Sequence, residues 1–443
     1  MLGKFASLKQ IADGVFRVVA VMTSRNVDPL PQGCVPLPRG VVSEEALGMW
    51  VVNGRWIKNN SADEDAYAYP SLLWSGHLYD YSGYAKANRE ILFRLSKNVK
   101  IRVLTSGLEN GPISVEHATR NRLDEFRKAR VSTRAPLLRF FGPDYKGDED
   151  RYRICWTMME TYKIHPKMVK LVNDNYHELW TPTEWNRRVF VESGVTIKTR
   201  SMPLGVDPAI YRPMPGSVLP QCKLVTTTDA GQMAVPQGFK FFTVGLPSFR
   251  KGFDIMSAAF GRAFAGREDV HLILGITHSL PEWNARVYEQ VKWNKAKIWT
   301  VEGKFSEQDL ARFYSACDAY VSASRGEGWN LPACEAASCG IPVIVPNNTC
   351  HAELFGEGGF LFPDEGTAEH AEANTVSPWY EGMPFSVLEE KSIEHLAEVL
   401  RVVAAGGQTV RDQTAHLQKI VRSKMTWDVA NALVLKQIIA VQP

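Results

Sequence analysis

The sequence predicts an α/β protein built from two doubly wound parallel-sheet units in tandem, with an extra segment at the N-terminus. Three observations carry this. Short apolar strands alternate with helical stretches from Ser71 onward, the pattern restarts after a Pro/Gly-rich join near 203–220, and residues 1–68 follow neither course. A length of 443 residues, 45% of them apolar and 22% charged, is ample for two cores. It excludes a disordered tail, a collagen-like repeat and a disulfide mini-protein.

Each element follows from its local pattern. In the extension 1–68, VFRVVAVM (15–22) and GMWVVNGRWI (48–57) read as strands, the prolines of DPLPQGCVPLPRG break the chain between them, and NNSADEDAYAYP reads as a linker. The first unit, 69–205, rests on SLLW (71–74), VKIRVL (99–104), PLLRFF (136–141), YRICW (152–156) and ELWT (178–181). The second, 206–425, rests on FKFFTVG (239–245), VHLILG (270–275), KIWTV (297–301), AYVSAS (319–324) and PVIVP (342–346), and the tail from 391 reads as helices. Two such units predict facing sheets across a cleft, with ligands outside the carboxyl ends of the strands.

Compartment and charge narrow the function. No run approaches the ~18 apolar residues of a spanning helix, and the start MLGKFASLKQIADG has no apolar signal core. The seven cysteines form no CxxC pair and read as reduced, buried thiols. The expectation is a soluble cytoplasmic protein, or one peripheral at the inner membrane surface. Residues 1–205 hold 30 Lys and Arg against 22 Asp and Glu, and the remainder holds 21 against 26, so the first half is basic and the second acidic. Arg120, Arg122, Arg127, Lys128, Arg130, Arg134 and Arg139 cluster in 117–140 against Asp124 and Glu125. They form either a solvated helix face or a surface for a polyanion or anionic membrane.

The stretch AYVSASRGEGWNLPACEAASCGIPVIVP carries the most chemistry. A strand runs into a glycine-bracketed loop, Arg325-Gly326-Glu327-Gly328-Trp329, and a helix opens with Asn330 as cap and Pro332 in its first turn. Exposed loop N–H groups beside a helix N-terminus suit phosphate or sugar oxygens. Glu327 and Glu335, eight positions apart, can line one ligand.

This stretch resembles the E-x7-E region of retaining GT-B glycosyltransferases of family 4, and other segments match in the same order. LWTPTEWNRRVFVESGV (179–195), MPLGVDPAIYRPM (202–214), FTVGLPSFRKGFDIMSAAF (242–260), SGYAKANREI (82–91) and MTWDVAN (425–431) resemble that family's segments. The resemblance implies a GT-B fold with two Rossmann-like domains, the C-terminal helix near 426–440 packing back on the first. It implies transfer of a hexosyl group from a UDP- or GDP-linked donor with retention and without metal, and no cofactor besides that co-substrate. Arg250 and Lys251 would neutralise the diphosphate, and the Gly83 turn would approach the same phosphates. Glu327 would contact the sugar hydroxyls, Glu335 the ribose, and the backbone around Gly326, Gly328, Trp329, Asn330 and Leu331 would hold phosphate or sugar oxygens. The KIWTVEGK strand end would flank the base.

Two departures stand out. Leu246 occupies a common arginine position, with Arg250 nearby as compensation, and the turn that usually carries a first-lobe histidine reads Thr157-Met158-Met159-Glu160-Thr161. Glu160 is the expected substitute, ahead of His165. Asp63-Glu64-Asp65 and Asp148-Glu149-Asp150 spell D-x-D in loop-like runs, and no Cys/His set has zinc spacing. The acceptor is a hydroxyl on a glycan, a lipid-linked or a small molecule. A hydroxymethylated DNA base, favoured by the basic first lobe, and a non-catalytic sugar- or polyanion-binding role are the alternatives.

Overall fold

The computed structural model describes residues 70–104, 115–144, 151–226, 230–277, 284–285, 287–370 and 377–442. It describes the backbone alone for 3–12, 15–24, 34–36, 50–52, 55–57, 281–283 and 286. The chain divides into two compact units: Met1–Thr157 with Leu171–Trp180 and Trp427–Pro443, and Met158–Lys170 with Thr181–Thr426. The linker at 59–69 and both D-E-D runs lie outside the described residues.

The first unit opens with an antiparallel sheet of β1 (Gly3–Ala12), β2 (Val15–Ser24), β3 (Cys34–Pro36), β4 (Trp50–Val52) and β5 (Arg55–Ile57) in the order β3-β1-β2-β4-β5. Both segments expected to be strands contain them, at β2 and at the β4–β5 pair. The long partner β1 and the short β3 carried no clear alternation in the sequence.

A parallel sheet follows. Its elements are β6 (Ser71–Gly76), α1 (Gly83–Leu95), β7 (Lys100–Val103), α2 (His117–Lys128), β8 (Leu137–Phe140), β9 (Arg153–Trp156), α3 (Pro166–Asn175) and β10 (Glu178–Thr181). The strands run in the order β10-β9-β8-β6-β7, all parallel. All six residues of β6 are buried, which is why it reads as a continuous apolar run rather than an alternation. Register aligns Phe140, Trp156 and Trp180 across three strands, and the Phe140 and Trp156 rings stack at 4.2 Å. The strand order reverses between β6 and β8. There Asn88 of α1 ties the sheet together: its Oδ1 accepts from Trp74 Nε1 at 2.8 Å, and its Nδ2 donates to the carbonyls of Tyr84 and Phe140. Gly76 leaves the room for this, since a Cβ would collide with the Asn88 amide.

The second unit begins its regular elements with α4 (Glu184–Glu192) and β11 (Lys198–Ser201). The α4 N-terminus is capped by Thr183 and, from far along the chain, by the Glu353 carboxylate, which accepts from the Glu184 and Trp185 amides at 2.9 and 2.8 Å. The sheet then comprises β12 (Cys222–Leu224), β13 (Met233–Ala234), β14 (Phe239–Gly245), β15 (Val270–Ile276), β16 (Lys297–Glu302), β17 (Ala319–Val321), β18 (Val343–Pro346) and β19 (Phe360–Phe362). Its helices are α5 (Phe253–Phe264), α6 (Pro281–Val291), α7 (Glu307–Ala316), α8 (Leu331–Cys339), α9 (His351–Phe355), α10 (Glu390–Ala405) and α11 (Gln408–Lys424). The order is β13-β12-β16-β15-β14-β17-β18-β19, with β16 to β19 parallel and the hairpin β12–β13 antiparallel on the edge. That hairpin, of three and two residues, was too short for its periodicity to be read. Numbered within the parallel part, the order is the doubly wound 3-2-1-4-5-6, so it reverses between β14 and β17. The core lies between this sheet and α5 and α10, around Phe241, Phe260, Leu272 and Leu400. Among the described residues no helix is long and apolar enough to cross a membrane.

Candidate functional site

Two loops leave the reversal point of the second unit, 246–252 after β14 and 322–330 after β17, and the backbone locks them together. Gly252 is left-handed, at φ 64°, and a Cβ there would collide with the Ala323 carbonyl. The Arg325 N–H donates to Arg250 O at 2.7 Å, and the Ser324 hydroxyl bridges the carbonyls of Arg250 and Gly326 at 3.2 and 3.0 Å. The Arg325 guanidinium is occupied structurally: it forks onto Asp254 at 3.1 and 2.7 Å, donates to Phe249 O and covers the Phe249 ring.

This clamp brings three predicted site residues into one cluster, with Glu327 buried and Arg250 and Lys251 largely so. Glu327 Oε1 accepts from Lys251 Nζ at 2.6 Å, and Glu327 Oε2 pairs with Arg250 Nη1 at 2.9 Å. Arg250 Nη1 also donates to Gly326 O at 2.7 Å. Burial alone would raise the Glu327 carboxyl, but the charges of Arg250 and Lys251 hold it well below the usual carboxylate range. Burial pushes the Lys251 ammonium down, with Glu327 opposing and Arg250 adding to it. Glu327 is ionised, because Arg250 holds it whatever the state of Lys251. Arg250 itself is raised: burial opposes its charge, but Glu327 and Glu160 more than offset that.

Glu160 joins this cluster. Its Oε1 stands 3.9 Å from Arg250 Nη2, and its Oε2 accepts from the Tyr380 hydroxyl at 2.7 Å. It sits on an irregular segment ahead of α3, so it is not a helix N-terminal charge. His165 instead caps α3, accepting from Lys167 N at 3.2 Å, with its ring edge-on to Trp379.

The 322–330 loop is largely covered: Ser324, Arg325, Glu327, Trp329 and Asn330 are all buried. The segment 158–160 lies directly on it. A Cβ at Gly326 would collide with Glu160 O, and one at Gly328 would lie 2.7 Å from the Met158 side chain. The two glycines therefore serve close approach of a second chain segment.

The remaining predicted residues are placed as follows. Asn330 caps α8 from a left-handed conformation, its Oδ1 accepting from Ala333 N, and Pro332 sits in the first turn as expected. Leu331 opens that helix, and Trp329 is buried just before it. Glu335, also buried, accepts from the Tyr314 hydroxyl of α7 at 3.0 Å. Gly83 is the exposed first residue of α1 in the first unit, behind the Ser82 cap. The basic helix α2 buries only Leu123 and leaves Arg120, Arg122, Arg127 and Lys128 exposed. Six cysteines are free and buried, and burial pushes the Cys222 thiol up to about 11 and Cys339 to about 12. Among the described residues no three His, Cys, Asp or Glu side chains are grouped to hold a metal ion.

Sequence reasoning missed Tyr380, His351, Asn348 and Thr349, which come from segments with no motif of their own. It also missed the reversal point of the first unit. There the His77 and Phe141 rings stack at 3.8 Å, and next to them Tyr84 OH of α1 meets Thr157 Oγ1, just after β9, at 3.4 Å. Burial would raise Asp80, but hydrogen bonds from His77 and Ser82 bring it to about 2.

Residues 238–376, which carry the whole of the ion cluster except Glu160, match the family model of glycosyl transferases group 1. The similarity to the group 1 glycosyltransferases is thus confined to this segment of the second unit. The serotype-specific mannosyltransferase WbdA of Escherichia coli is 29% identical over 144 residues, 31% of this chain and 17% of that protein. The O-antigen chain mannosyltransferase B of Escherichia coli is 39% identical over 79 residues, 16% of this chain and 21% of that protein. The chain thus spans about a fifth or less of the length of these relatives. Among solved structures, Anabaena Alr3699/HepE in complex with UDP and glucose aligns over 84% of this chain and 100% of its own, with TM-score 0.57 and 13% identity. WaaG, a glycosyltransferase involved in lipopolysaccharide biosynthesis, aligns over 83% and 99%, with TM-score 0.55 and 13% identity. These likenesses agree with the two parallel α/β sheets in tandem, the GT-B fold.

Proposed function

We propose that this protein is a retaining, metal-independent glycosyltransferase of family 4 that moves a hexosyl group from a UDP- or GDP-linked sugar to an acceptor hydroxyl. The observation that carries the reading is the buried Arg250–Lys251–Glu327 cluster at the sheet reversal of a group 1 segment. Two fixed cations in a water-poor site suit a diphosphate whose charge grows as it leaves. Glu327 holds both cations in place beforehand, so little reorganisation is needed when the donor arrives. In the reaction, the bond from the anomeric carbon to the phosphate oxygen breaks and a bond to the acceptor oxygen forms on the same face. The acceptor proton passes to the departing phosphate. Arg250 and Lys251 stabilise that phosphate, Glu327 and Glu160 orient the sugar, and Glu335 binds the ribose. The amides of Trp329, Asn330 and Leu331 ahead of α8 hold the remaining oxygens. No other cofactor is required.

The acceptor in this reading is a glycan, a lipid-linked or a small-molecule hydroxyl. The exposed basic face of α2 favours a second reading, a hydroxymethylated base in DNA, over a neutral acceptor. A paired buried cluster argues against a decayed, purely binding scaffold, because such ion clusters are costly to keep without use. The test is a screen of UDP- and GDP-linked sugars for hydrolysis in the presence of a chelator, followed by glycan and modified-DNA acceptors. Turnover of one donor class without metal is expected. Hydrolysis of none, or only with added magnesium or manganese, would overturn the reading.

A further inference from the structure

Helix α8 starts from an unfavoured backbone. Asn330 has φ 67° and Thr349 φ 43°, and they are the two non-glycine residues with positive φ among the described residues. Such conformations cost about 1 kcal/mol or more and persist only where the surroundings over-determine them. Here the surroundings are one buried chain of hydrogen bonds. Asn330 Nδ2 lies 2.9 Å from His351 Nε2, and His351 Nδ1 lies 2.8 Å from Asn348 Oδ1. Asn348 Nδ2 donates to Ser324 O at 3.0 Å, and the Thr349 hydroxyl donates to Asn348 Oδ1 while accepting from the Glu327 N–H at 3.2 Å.

The roles close in one way. Asn330 Oδ1 already takes the Ala333 N–H, so its Nδ2 is the donor and His351 Nε2 the acceptor. Asn348 Nδ2 is committed to Ser324 O, so its Oδ1 accepts and His351 Nδ1 carries the proton. His351 is therefore neutral, with both nitrogens occupied, and has none left for acid–base chemistry on a ligand. Its electrostatics agree: burial pushes it down to about 4, with Glu327 pulling the other way and Lys251 and Arg250 adding to the drop.

We propose that His351 is a positioning residue that holds Asn330 in its left-handed conformation and so aims the Asn330 and Leu331 amides at a nucleoside diphosphate. For its ligand the proposal rests on the function given above, and for its geometry it does not. A glycine takes a left-handed backbone unaided. Asn330→Gly should therefore make the loop independent of His351, which a double-mutant cycle can read. The dissociation constants of UDP and GDP and the thermal midpoint are measured for wild type, His351→Phe, Asn330→Gly and the double variant. His351→Phe is expected to weaken nucleotide binding about 10-fold, a 1.4 kcal/mol effect, and the double variant to bind within about 3-fold of Asn330→Gly. If the His351→Phe loss reappears in full on the glycine background, the imidazole acts only by packing and the proposal fails. Nitrogen-15 spectra of the wild type give a readout that needs no ligand: neutral His351 protonated at Nδ1 at pH 7 is expected, and an Nε2–H tautomer or an imidazolium would overturn it. If neither nucleotide binds wild type, the functional reading fails. The spectra and the non-additivity of thermal midpoints then still decide the positioning claim.

Discussion

The two reversal points of the molecule share a topology and differ in chemistry. In the first unit, the loops after β6 and β8 meet through rings, His77 on Phe141, and beside them Tyr84 of α1 meets Thr157 after β9. In the second, the loops after β14 and β17 meet through a buried carboxylate between two cations. The parallel fold delivers loops to one place in either unit. The side chains decide whether that place holds a carboxylate clamped between two cations or rings beside the single carboxylate of Asp80.

The largest effects should come from the charged reversal point. Lys251→Met should cut donor turnover about 100-fold or more, as loss of a transition-state charge partner does. It should leave stability nearly unchanged, because Glu327 keeps Arg250. Glu327→Gln should match that loss and also cost about 3 kcal/mol of stability, since it strands two buried cations. Denaturant melts beside turnover assays separate the two variants; equal stability losses would mean Lys251, not Arg250, is the partner that Glu327 needs. The matched change in the first unit, Tyr84→Phe, should leave donor hydrolysis intact and cost under about 1 kcal/mol. Donor hydrolysis lost as completely there as in Lys251→Met would erase the contrast.

Next in size is Glu160→Gln, expected to lower kcat about 10-fold with little change in donor KM, because it touches the cluster only through Arg250 at 3.9 Å and Tyr380. An unchanged kcat removes Glu160 from the site.

Acid should act on the charged region through His351. Its pKa is about 4 in the folded chain against an ordinary 6.5. Below pH 6.5 the unfolded chain binds a proton that the folded one refuses, so stability falls as pH drops from about 6.5 to 4, by at most roughly 3 kcal/mol. Glu327 favours that proton, and Lys251 and Arg250 oppose it. His351→Phe should flatten the slope in melts between pH 7 and 4; an unchanged slope would assign it elsewhere.

How much of this was legible beforehand depends on the range of the interaction. The central strands of the two parallel sheets, the Asn330 cap and Pro332 are local, and sequence pattern placed them. Arg250, Lys251 and Glu327 were each visible in a loop at a strand end, though not their mutual pairing across 76 positions. The burial of the 322–330 loop was illegible, because what covers it is Met158–Glu160, a stretch far along the chain whose packing on this loop no local pattern marks. Tyr380 and His351 were illegible for the same reason. Nothing local marks a tyrosine that bonds a carboxylate 220 positions away.

The smallest expected effect tests the basic helix of the first unit. Reversing Arg127, Lys128 and Arg130 to glutamate should weaken a polyanionic acceptor with a loss that shrinks as salt rises, by about 0.9 in log–log slope per phosphate contact on duplex DNA. Donor hydrolysis should not move. Equal acceptor affinity at low salt would leave a solvated face and a neutral acceptor.

The central claim is that the Arg250–Lys251–Glu327 cluster binds the diphosphate of a sugar donor without metal. Calorimetric titration of UDP and GDP into wild type and Lys251→Met, both in excess chelator, tests it most directly. One nucleotide should bind wild type and bind Lys251→Met at least about 10-fold more weakly. Binding that appears only when a divalent ion is restored, or that is equal in both proteins, would contradict the account.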